Sequence, residues 1–560
     1  MPSTRAEALA ELTAPGNPYE LRMQEIRGRQ YKVFANAPNN LRQLYEAAIS
    51  DLPFFVYLDE RLSFRETWER SAALASLLQK DYGIQKGDRV AISMRNFPEW
   101  VLAFMATTSI GGIAVAMNSL WQTDEMVYGL KDSGAKVLIA DQERIDRLEP
   151  ARASTRIEVL AVRPASKSAD EQEFNTRVKP YLNSAMPLVD VFPDDPATIF
   201  YTSGSTGHPK GVVSTHRNIL TALFSWELDG QSAALIAGTA PASPSTQPAT
   251  LLAVPLFHAT GSHAVYLQSY RAQRKIVSMY RWDPEHAAEL IEREQISSVI
   301  APAAMTGDLV RVAQETKRDL SSLQSVGGGG APRAPEQVRQ IEASFAKALP
   351  GTGWGMTETN AIGTGIGGLD YLNRPASSGR CSAVLELKVL DEQGNMLPAG
   401  ARGELLIRGT SLFTGYWNRP EINAPGFEEV FEDGWFRTGD VAYLDDEGYL
   451  FIVDRIKDLI IRGGENIGCG QVEAALVMHP DILEAAVYAV PDERLGEEVG
   501  ATIFANKPLD ENELREFLSQ HLARFEVPRY IRMVGEPLPR TASGKILKRE
   551  LREAAIKVMG

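Results

Sequence analysis

The feature that most restricts the fold is a regular alternation of apolar runs and amphipathic segments over residues 89–140. Three apolar runs have the length of buried strands, at 89–94, 112–117 and 136–140. The two segments between them have helical length and periodicity, at 98–110 and 123–133. Because strands alternate with helices, this part of the chain is predicted to form a parallel α/β sheet.

The same alternation returns further along the chain, where we predict a strand from residue 251, helices at 261–269 and 284–295, and a strand at 297–301. An amphipathic helix is predicted at 62–82, after an irregular lead-in with helical pieces over residues 1–55. The stretch 225–250 is rich in Ala, Ser, Pro and Gly and is predicted as a surface loop.

The pattern changes after Gly403 to short strands and turns, and the last hundred or so residues have a mixed pattern of their own. Such a region is long enough to form a small separate domain. We therefore expect a large N-terminal domain of parallel α/β sheets plus a short β-rich part at 1–455, and a small, mobile α+β domain at 456–560.

Composition and charge restrict the class of protein. With 560 residues, 44% hydrophobic and 23% charged, the chain is that of a soluble globular protein with more than one core. The formal charge of −14 argues against a nucleic-acid partner. Cys381 and Cys469 are too few for a disulfide framework, so a reducing, cytoplasmic setting is predicted. We expect no secretory signal, and the apolar run 109–117 is too short to span a bilayer, so membrane contact would be at most peripheral.

A loop rich in glycine and hydroxyl side chains, Tyr201-Thr-Ser-Gly-Ser-Thr-Gly-His-Pro-Lys-Gly211, follows an apolar run. Glycine lets backbone N–H groups converge on one point, where a phosphate group is the usual occupant. Lys210 adds a charge that can reach a polyphosphate. The loop does not end in the Gly-Lys-Ser/Thr of a Walker loop, so another nucleotide chemistry is required. Taken alone, the stretch could also be a flexible Gly/Ser loop.

Four further clusters carry residues suited to nucleotide chemistry: Gly327-Gly-Gly-Gly-Ala-Pro332, Gly353-Trp-Gly-Met-Thr-Glu-Thr359, Gly434-Trp-Phe-Arg-Thr-Gly-Asp440 and Pro539-Arg-Thr-Ala-Ser-Gly-Lys545. Consecutive glycines let a flat ring approach the backbone. Glu358 is a hard oxygen ligand suited to a phosphate-bound Mg²⁺, and Asp440 could accept both hydroxyls of a ribose. Each cluster also has an ordinary explanation: a flexible turn, a Thr-capped helix start, a turn aspartate or a solvated lysine.

Together and in this order, the five clusters resemble those of the acyl-adenylate-forming superfamily, which includes acyl- and aryl-CoA synthetases, peptide-synthetase adenylation domains and luciferases. The segment Asp454-Arg-Ile-Lys-Asp458 also falls in the family's order. The resemblance extends from about residue 60 to residue 550 and is greatest to medium- and long-chain fatty acyl-CoA synthetases.

The resemblance implies a nucleotide site. The residues that would hold the β- and γ-phosphates of ATP are Thr202, Ser203, Gly204, Ser205, Thr206, Gly207 and Lys210. The residues that would line the adenine and the adjoining nucleotide site are Gly329, Gly330, Ala331, Pro332, Gly353, Trp354, Gly355 and Met356, with Trp354 and Gly355 also bordering the acyl pocket. Asp440 and Arg455 would hold the ribose.

The resemblance also implies the catalytic groups. Thr357 would bind the α-phosphate and Glu358 the Mg²⁺. Lys545 would bridge the substrate carboxylate and the α-phosphate, and His258 would lie near that carboxylate and the thiol entrance.

The implied activity is that of an ATP-dependent carboxylate–CoA ligase that uses ATP, Mg²⁺ and coenzyme A and releases AMP and pyrophosphate. Two half-reactions at one site favour a mobile C-terminal domain with Lys457 as its hinge. After rotation, the loop with Gly463 and Gly464 would replace the Lys545 loop and admit the pantetheine. Three alternatives stay open: an enzyme that loads a carrier protein, an aryl-CoA ligase, and a nucleotide-sensing module without turnover.

The substrate is expected to be a medium- to long-chain fatty acid. Small side chains dominate the segments 301–306 and 361–368 that would shape the acyl pocket, and they leave room for an apolar tail. No basic residue is expected there for a second carboxylate. The chain departs from its relatives at Gln471, where Glu is frequent, and at Glu526, where Lys is frequent and where the charge reversal alters the surface expected to meet CoA.

Overall fold

The computed structural model describes residues 4–165, 172–202, 208–238, 246–329, 333–419, 431–463, 465–541 and 544–559, and every structural statement refers to these residues. Its strands are β1 (Leu21–Ile26), β2 (Arg29–Phe34), β3 (Pro53–Tyr57), β4 (Glu60–Ser63), β5 (Arg89–Ser93), β6 (Ile113–Ala116), β7 (Val137–Asp141), β8 (Glu158–Val162), β9 (Gln172–Glu173), β10 (Pro196–Thr202), β11 (Lys210–Thr215), β12 (Ala249–Leu252), β13 (Lys275–Ser278), β14 (Ser298–Ile300), β15 (Ser325–Gly327), β16 (Leu349–Thr352), β17 (Thr364–Gly367), β18 (Gly379–Cys381), β19 (Leu385–Leu390), β20 (Gly403–Gly409), β21 (Gly415–Tyr416), β22 (Phe431–Glu432), β23 (Trp435–Leu444), β24 (Tyr449–Arg455), β25 (Ile460–Arg462), β26 (Glu465–Ile467), β27 (Ile482–Asp492), β28 (Gly496–Ala505) and β29 (Tyr530–Val534).

The α-helices are α1 (Arg5–Leu12), α2 (Leu41–Ala47), α3 (Phe64–Lys80), α4 (Pro98–Ser109), α5 (Thr123–Ser133), α6 (Gln142–Leu148), α7 (Arg152–Thr155), α8 (Phe174–Val178), α9 (His216–Ile236), α10 (Gln268–Arg271), α11 (Pro284–Glu294), α12 (Ala303–Glu315), α13 (Pro335–Ser344), α14 (Gly368–Asn373), α15 (Cys469–Val477), α16 (Glu511–Ser519) and α17 (Lys548–Met559). Short 3₁₀ turns lie at Glu149–Ala151, Lys179–Tyr181, Thr357–Thr359 and Ile456–Asp458, and a π-helical segment spans Thr260–Leu267. Within the described ranges, every helix is too short or too polar to cross a membrane.

The first large sheet has the strand order β21-β11-β10-β6-β5-β7-β8-β9. Its strands from β10 to β9 pair in parallel, which confirms the fold expected from the alternation at 89–140. Strand β11 is antiparallel to both β10 and β21. Since β10 ends at Thr202 and β11 begins at Lys210, the glycine-rich loop joins two antiparallel neighbours.

The second large sheet has the order β19-β20-β23-β24-β18-β17-β16-β15-β14-β12-β13-β3-β4, with β22 on β23. In this order, the neighbouring strands from β16 through β15, β14, β12 and β13 to β3 pair in parallel. The neighbouring strands from β17 through β18, β24, β23 and β20 to β19 pair antiparallel. This antiparallel part includes the β-rich region expected after Gly403, but it begins earlier in the chain, at β17. The two kinds of pairing meet at β16 and β17, and the Gly353–Thr359 cluster connects these two strands.

One hydrophobic core joins the two large sheets. Helices α3 and α4 pack on each other, and their side chains share a core with residues of β5 in the first sheet and β12 in the second. Every residue of α4 is buried. A helix that is apolar on all sides is stable only when protein surrounds it, so α4 belongs in this central layer.

The C-terminal region forms a small α+β domain with its own core. Its sheet has the order β26-β25-β28-β27, with β29 parallel to β28, and α15 and α16 supply apolar side chains to the same core. Strand β24 belongs to the second large sheet and β25 to this small one. The exact residue of the domain boundary, which we expect between 455 and 456, stays a prediction.

Two expectations about secondary structure are wrong. The lead-in contains an antiparallel hairpin, β1–β2, whose two-residue turn has positive φ at Arg27 (52°) and Gly28 (76°). Such a turn matches the twist of a hairpin, but its strands are mostly exposed and show no clear apolar alternation. The predicted loop at 225–250 is helical up to Ile236, because α9 is capped by Thr215 and buries Leu228 and Ser232 along one face.

Candidate active site

The two ends of the glycine-rich loop lie side by side. Thr202 and Lys210 are register partners in β10 and β11, and the Thr202 hydroxyl donates to the Lys210 carbonyl over 3.4 Å. The Lys210 ammonium group lies 5.2 Å from the centre of the Tyr416 ring. Ser203, Gly204, Ser205, Thr206 and Gly207 lie outside the described residues. The structure therefore brings together the hydroxyl and the cation that flank the expected phosphate loop.

The Gly353–Thr359 cluster forms a compact turn between β16 and β17. A Cβ on Gly353 would come within 2.4 Å of the Thr364 carbonyl oxygen, and one on Gly355 within 2.5 Å of the Ala361 carbonyl oxygen. Real Cβ atoms do not approach so closely, so both positions require glycine. The backbone N–H of Met356 donates to the Thr359 hydroxyl over 2.9 Å, which closes the turn. Thr357 and Glu358 lie at its tip, in a 3₁₀ turn rather than at the start of an α-helix.

The Glu358 carboxylate is buried and held by a tyrosine from the first sheet. The Tyr416 hydroxyl donates to Glu358 Oε1 over 3.0 Å, and Tyr416 lies in β21. Burial raises the pKa of Glu358, and the positive charges of Arg455 and Lys545 oppose that rise. The sequence analysis missed Tyr416, because 58 residues separate the two side chains and only the folded sheet makes them neighbours.

Asp440 lies inside strand β23, next to a bulge at Gly439, so it is not the turn aspartate of the ordinary explanation. The register places it opposite Arg455 on β24, whose guanidinium Nε lies 2.5 Å from Asp440 Oδ1. The indole N–H of Trp354 donates to Asp440 Oδ2 over 2.7 Å. Burial raises the pKa of Asp440, while Arg455 lowers it. Trp354 is therefore turned toward the carboxylate expected at the ribose, a contact the sequence did not indicate.

Lys545 lies on a tight C-terminal turn that touches the large domain. The Thr541 N–H donates to the Lys545 carbonyl over 2.7 Å, and a Cβ on Gly544 would lie 3.1 Å from Pro302 Cγ at the start of α12. Lys545 is exposed to solvent as a residue, but its side chain extends alongside the large domain, where nearby protein partly desolvates the ammonium group. This desolvation lowers the pKa of Lys545, helped by Arg455 and opposed by the carboxylates of Asp440 and Glu358. The ammonium group thus shares one electrostatic environment with both carboxylates.

His258 lies just before the π-helical segment. Burial, helped by the neighbouring charge of Lys545, lowers the pKa of its imidazole to about 4, so the ring is neutral near pH 7. Lys545 is therefore close enough to His258 to influence its charge, and the position of His258 near the substrate carboxylate stays a prediction.

The glycine run follows β15, and Gly329 is its last described residue before Gly330, Ala331 and Pro332, which lie outside the described ranges. Arg333 comes next and is buried, with its guanidinium donating to the Thr306 hydroxyl over 3.1 Å. A Cβ on Gly328 would meet the same guanidinium at 2.6 Å. Arg333 is therefore a basic residue that touches both the glycine run and the 301–306 segment, whereas the absence of a basic residue from the acyl pocket stays a prediction.

The remaining predicted residues belong to the C-terminal domain. Gly463 has a φ of 59°, and its N–H donates to the Leu495 carbonyl over 2.9 Å. Gly464 lies outside the described residues. Lys457 lies in the exposed 3₁₀ turn between β24 and β25, in a short connection between the two sheets. Neither Gly463 nor Lys457 hydrogen-bonds to the carboxylates of the site in this structure.

The metal site expected at Glu358 agrees with the chemistry of the residues present. In the described part of the chain, no three His, Cys, Asp or Glu side chains converge as a cation cage. Mg²⁺ that arrives with a nucleotide needs only one or two protein carboxylates, because phosphate oxygens and waters complete its shell. A single buried carboxylate, bonded to the same Tyr416 whose ring faces Lys210, fits that requirement.

The chain belongs to the AMP-binding enzyme family. The model of that family, described as AMP-binding enzyme, matches residues 45–417, and a second model, AMP-binding enzyme C-terminal domain, matches residues 471–545. These matches confirm the resemblance to acyl-adenylate-forming enzymes and to their two-part architecture.

Individual relatives are CoA ligases with different acids. The chain is 32% identical over 511 residues to long-chain-fatty-acid–CoA ligase FadD13 of Mycobacterium tuberculosis, covering 89% of this chain and 94% of that protein. It is 30% identical over 508 residues to 4-coumarate–CoA ligase 2 of Nicotiana tabacum, covering 89% of each. The structure resembles o-succinylbenzoate CoA synthetase of Bacillus subtilis in complex with ATP and magnesium ion, with a TM-score of 0.75, 27% identity, and coverage of 92% of this chain and 99% of that one.

Proposed function

We propose that this protein is an ATP-dependent carboxylate–CoA ligase that works through an acyl adenylate and releases AMP and pyrophosphate. The observation that carries the proposal is the convergence of Lys545, from the C-terminal domain, with Glu358 and Asp440 of the large domain. A nucleotide-sensing module has no need to bring a lysine from a second domain to two buried carboxylates. Family membership and the CoA ligases among the relatives support the same activity.

In the first half-reaction, a carboxylate oxygen of the acid forms a bond to the α-phosphorus of ATP, and pyrophosphate leaves. Two anions must approach each other, so positioning and neutralisation of charge supply most of the catalysis. Lys545 would bind the acid's carboxylate and the α-phosphate, and Thr357 would donate its hydroxyl to that phosphate. Lys210, Thr202 and the loop between them would hold the departing phosphates. Mg²⁺ held by Glu358 would supply further positive charge at these oxygens.

The nucleoside would lie between the two clusters of the second sheet. Asp440 would accept the ribose hydroxyls, with its carboxylate held in place by Arg455 and by the Trp354 indole. The adenine would lie along Gly329 to Pro332 and the backbone of Gly353 to Met356, where the absence of side chains at the glycines permits close approach.

In the second half-reaction, the thiol sulfur of CoA forms a bond to the acyl carbon, and AMP leaves with the electron pair of the broken C–O bond. His258 is neutral near pH 7 and would accept the thiol proton. Gly544, next to Lys545, lies against Pro302 at the start of α12, and we propose that the Lys545 turn would have to leave before pantetheine could enter. Rotation about Lys457 would remove it and bring Gly463 and Gly464 to the site.

The acid is proposed to be a medium- to long-chain fatty acid, and the relationship to a long-chain-fatty-acid–CoA ligase favours it. An aryl acid is the second candidate, because the chain is related almost equally to 4-coumarate–CoA ligases. Arg333 is buried and has no ion-pair partner among the described residues. Because such a cation could bind a second polar or anionic group on the substrate, acids with such a group should be tested as well. The enzyme is proposed to act in the cytoplasm, and the free thiols of Cys381 and Cys469 agree with a reducing compartment.

A panel of acids tests the proposal. The protein is incubated with ATP, Mg²⁺, CoA and acids from acetate to palmitate, together with benzoate, cinnamate and a dicarboxylate, and thioester and AMP are followed by mass spectrometry. We expect thioester and AMP in equal amounts, greatest for one chain length of fatty acid. A preference for cinnamate would replace the fatty acid by an aryl acid. Adenylate without thioester would make a carrier protein the acceptor, and no product with any acid would contradict a ligase.

A further inference from the structure

A buried histidine outside the five sequence clusters hydrogen-bonds to the turn that carries Glu358. His263 lies in the π-helical segment and is 1% exposed. Its Nε2 lies 3.1 Å from Asn360 Oδ1, and its Nδ1 lies 2.8 Å from the Ser262 hydroxyl. π-Helical turns are rare and are often found at functional sites, where they bring side chains into positions that a regular helix would not provide.

The direction of the hydrogen bond to Asn360 follows from the network. Asn360 Nδ2 donates to the Ser411 carbonyl over 2.8 Å, so the Oδ1 of the same amide faces His263 and can only accept. His263 must therefore carry its proton on Nε2. Its Nδ1 faces the Ser262 hydroxyl, whose single proton also lies within reach of the His258 carbonyl at 3.0 Å. Burial lowers the pKa of His263 to about 4, so the ring holds a single N–H at neutral pH and donates it to Asn360.

Asn360 is held in a conformation that most residues avoid. Its φ is 57°, and the φ of Ala361 is 64°, so two successive residues are left-handed without being glycine. Such a conformation is strained for a residue with a Cβ, and it persists only where the surroundings enforce it. The N–H groups of Asn360 and Ala361 donate to the carbonyls of Thr357 and Met356, so this strained pair closes the turn with Thr357 and Glu358.

The turn is held from two sides. On one side, the Ser411 carbonyl accepts a hydrogen bond from the Asn360 side chain. The Phe413 N–H, two residues further on, donates a hydrogen bond to the Glu358 carbonyl over 2.8 Å. On the other side lies His263, whose ring also packs edge-on against Phe200 at 5.3 Å. Phe200 lies on β10, two residues before Thr202. His263 thus contacts both the turn and the strand that leads into the phosphate loop.

We propose that His263 is a positioning residue for adenylate formation, which acts through Asn360 to hold Glu358 where Mg²⁺-bound ATP requires it. The inference rests on the proposed function, since it assigns Glu358 to the metal. It concerns the first half-reaction, because attack of a thiol on a finished acyl adenylate uses no metal-bound triphosphate. A histidine that only fills the core would affect both half-reactions through stability.

The experiment compares five variants of the full-length protein. His263→Phe keeps a ring but removes the donor, and His263→Gln keeps a donor. Asn360→Gly removes the acceptor while tolerating the left-handed backbone, and it tests the same bond if His263→Phe does not fold. The double variant His263→Phe/Asn360→Gly tests coupling. His216→Phe is the control, because His216 is equally buried and bonds to Leu41 outside the site.

Two activities are measured for each variant: acid-dependent exchange of pyrophosphate into ATP at increasing Mg²⁺, and thioester formation from supplied acyl adenylate. We expect His263→Phe to raise the half-saturating Mg²⁺ concentration and lower exchange by about tenfold to 100-fold, as loss of an outer-shell partner does at metal sites. Thioester formation should stay within about twofold, His263→Gln should recover most of the exchange, and the double variant should lose no more than Asn360→Gly.

Several outcomes would overturn the inference: equal loss of both half-reactions, an unchanged Mg²⁺ dependence, His263→Gln as impaired as His263→Phe, or additive losses in the double variant. Failure of the proposed function is distinguishable, because the unmodified protein would then show no acid-dependent exchange at all. A similar loss in His216→Phe would assign the effect to general stability and would also overturn the inference.

Discussion

At the scale of single residues, the account depends most on Lys545. Its ammonium group is partly desolvated by nearby protein and shares its electrostatic environment with Glu358 and Asp440. We expect Lys545→Ala to lower adenylate formation by about 100-fold or more, because removal of one preorganised group that stabilises transition-state charge has a cost of that size. Thioester formation from supplied acyl adenylate should change little. Separate assays of the two half-reactions test this, and equal loss of both would remove Lys545 from its assigned role.

The lowered pKa of Lys545 has a consequence for pH dependence. The lysine assists two anions only while it is protonated, and desolvation and Arg455 make it lose its proton at a lower pH than a fully solvated lysine. As the pH rises, adenylate formation should therefore start to decline before the pH reaches about 10.4, the ordinary pKa of a lysine. Lys545→Arg, scaled to its own maximum, should not show this decline, because arginine keeps its charge. The same alkaline decline in both proteins would assign it to another group.

At the scale of elements, the turn between β16 and β17 is the most sensitive part of the site. A Cβ at Gly355 would lie 2.5 Å from the Ala361 carbonyl oxygen, a backbone atom that cannot move without displacing the turn. We expect Gly355→Ala to lower adenylate formation at least about tenfold and to destabilise the fold by about 1–3 kcal/mol, as overpacking does.

Gly230→Ala is the matched control for that substitution. Gly230 lies in α9, and a Cβ there has nothing within 4 Å, so alanine should keep full activity and add about 0.5–1 kcal/mol of stability. Thermal unfolding and pyrophosphate exchange measured on both variants test the pair. Full activity in Gly355→Ala would show that the turn can adapt and that its glycine is dispensable.

Local sequence patterns predicted helices and strands near the site better than they predicted the side-chain contacts between these elements. The helix Thr123–Ser133 and the parallel strands around it follow from length and periodicity, so they could be predicted. The β1–β2 hairpin could not, since it is exposed and depends on positive φ at Arg27. Likewise, Tyr416 meets Glu358, and His263 meets Asn360, only through pairings between distant strands and helices. No short-range sequence signal reports such contacts.

At the scale of the whole molecule, the two domains should change their relative position between the half-reactions. Residues 456–458 are exposed, and Lys457 offers a cleavage site for trypsin in this connection. We expect cleavage after Lys457 to slow when ATP and acid are bound, because ligands hold the Lys545 turn against the large domain and so restrain the connection. Gel electrophoresis and mass spectrometry follow the two fragments. A cleavage rate that is unchanged by ATP and acid would speak against a mobile domain.

Global stability should depend on pH through buried neutral histidines. Burial lowers the pKa of His216 to about 4, so between about pH 4 and 6.5 the unfolded chain binds a proton that the native chain does not. The free energy of unfolding therefore decreases as the pH falls, by about 1.4 kcal/mol per unit for this group.

His216→Asn isolates this contribution, because asparagine can still accept the Leu41 N–H but does not titrate. The loss of unfolding free energy between pH 7 and pH 5 should be smaller in the variant by about 2 kcal/mol. Urea unfolding of both proteins at the two pH values measures the difference. Equal losses would mean that His216 is charged in the native protein or already neutral in the unfolded chain.

The central claim is that the acid is activated by direct attack of its carboxylate on the α-phosphorus of ATP. It is tested most directly with an acid that carries heavy oxygen in both carboxylate positions, incubated with ATP, Mg²⁺ and CoA and followed by mass spectrometry of the nucleotide. The account predicts that one heavy oxygen appears in each AMP and the other stays in the thioester. AMP without label, or ADP and labelled inorganic phosphate, would show that no acyl adenylate forms and would contradict the account.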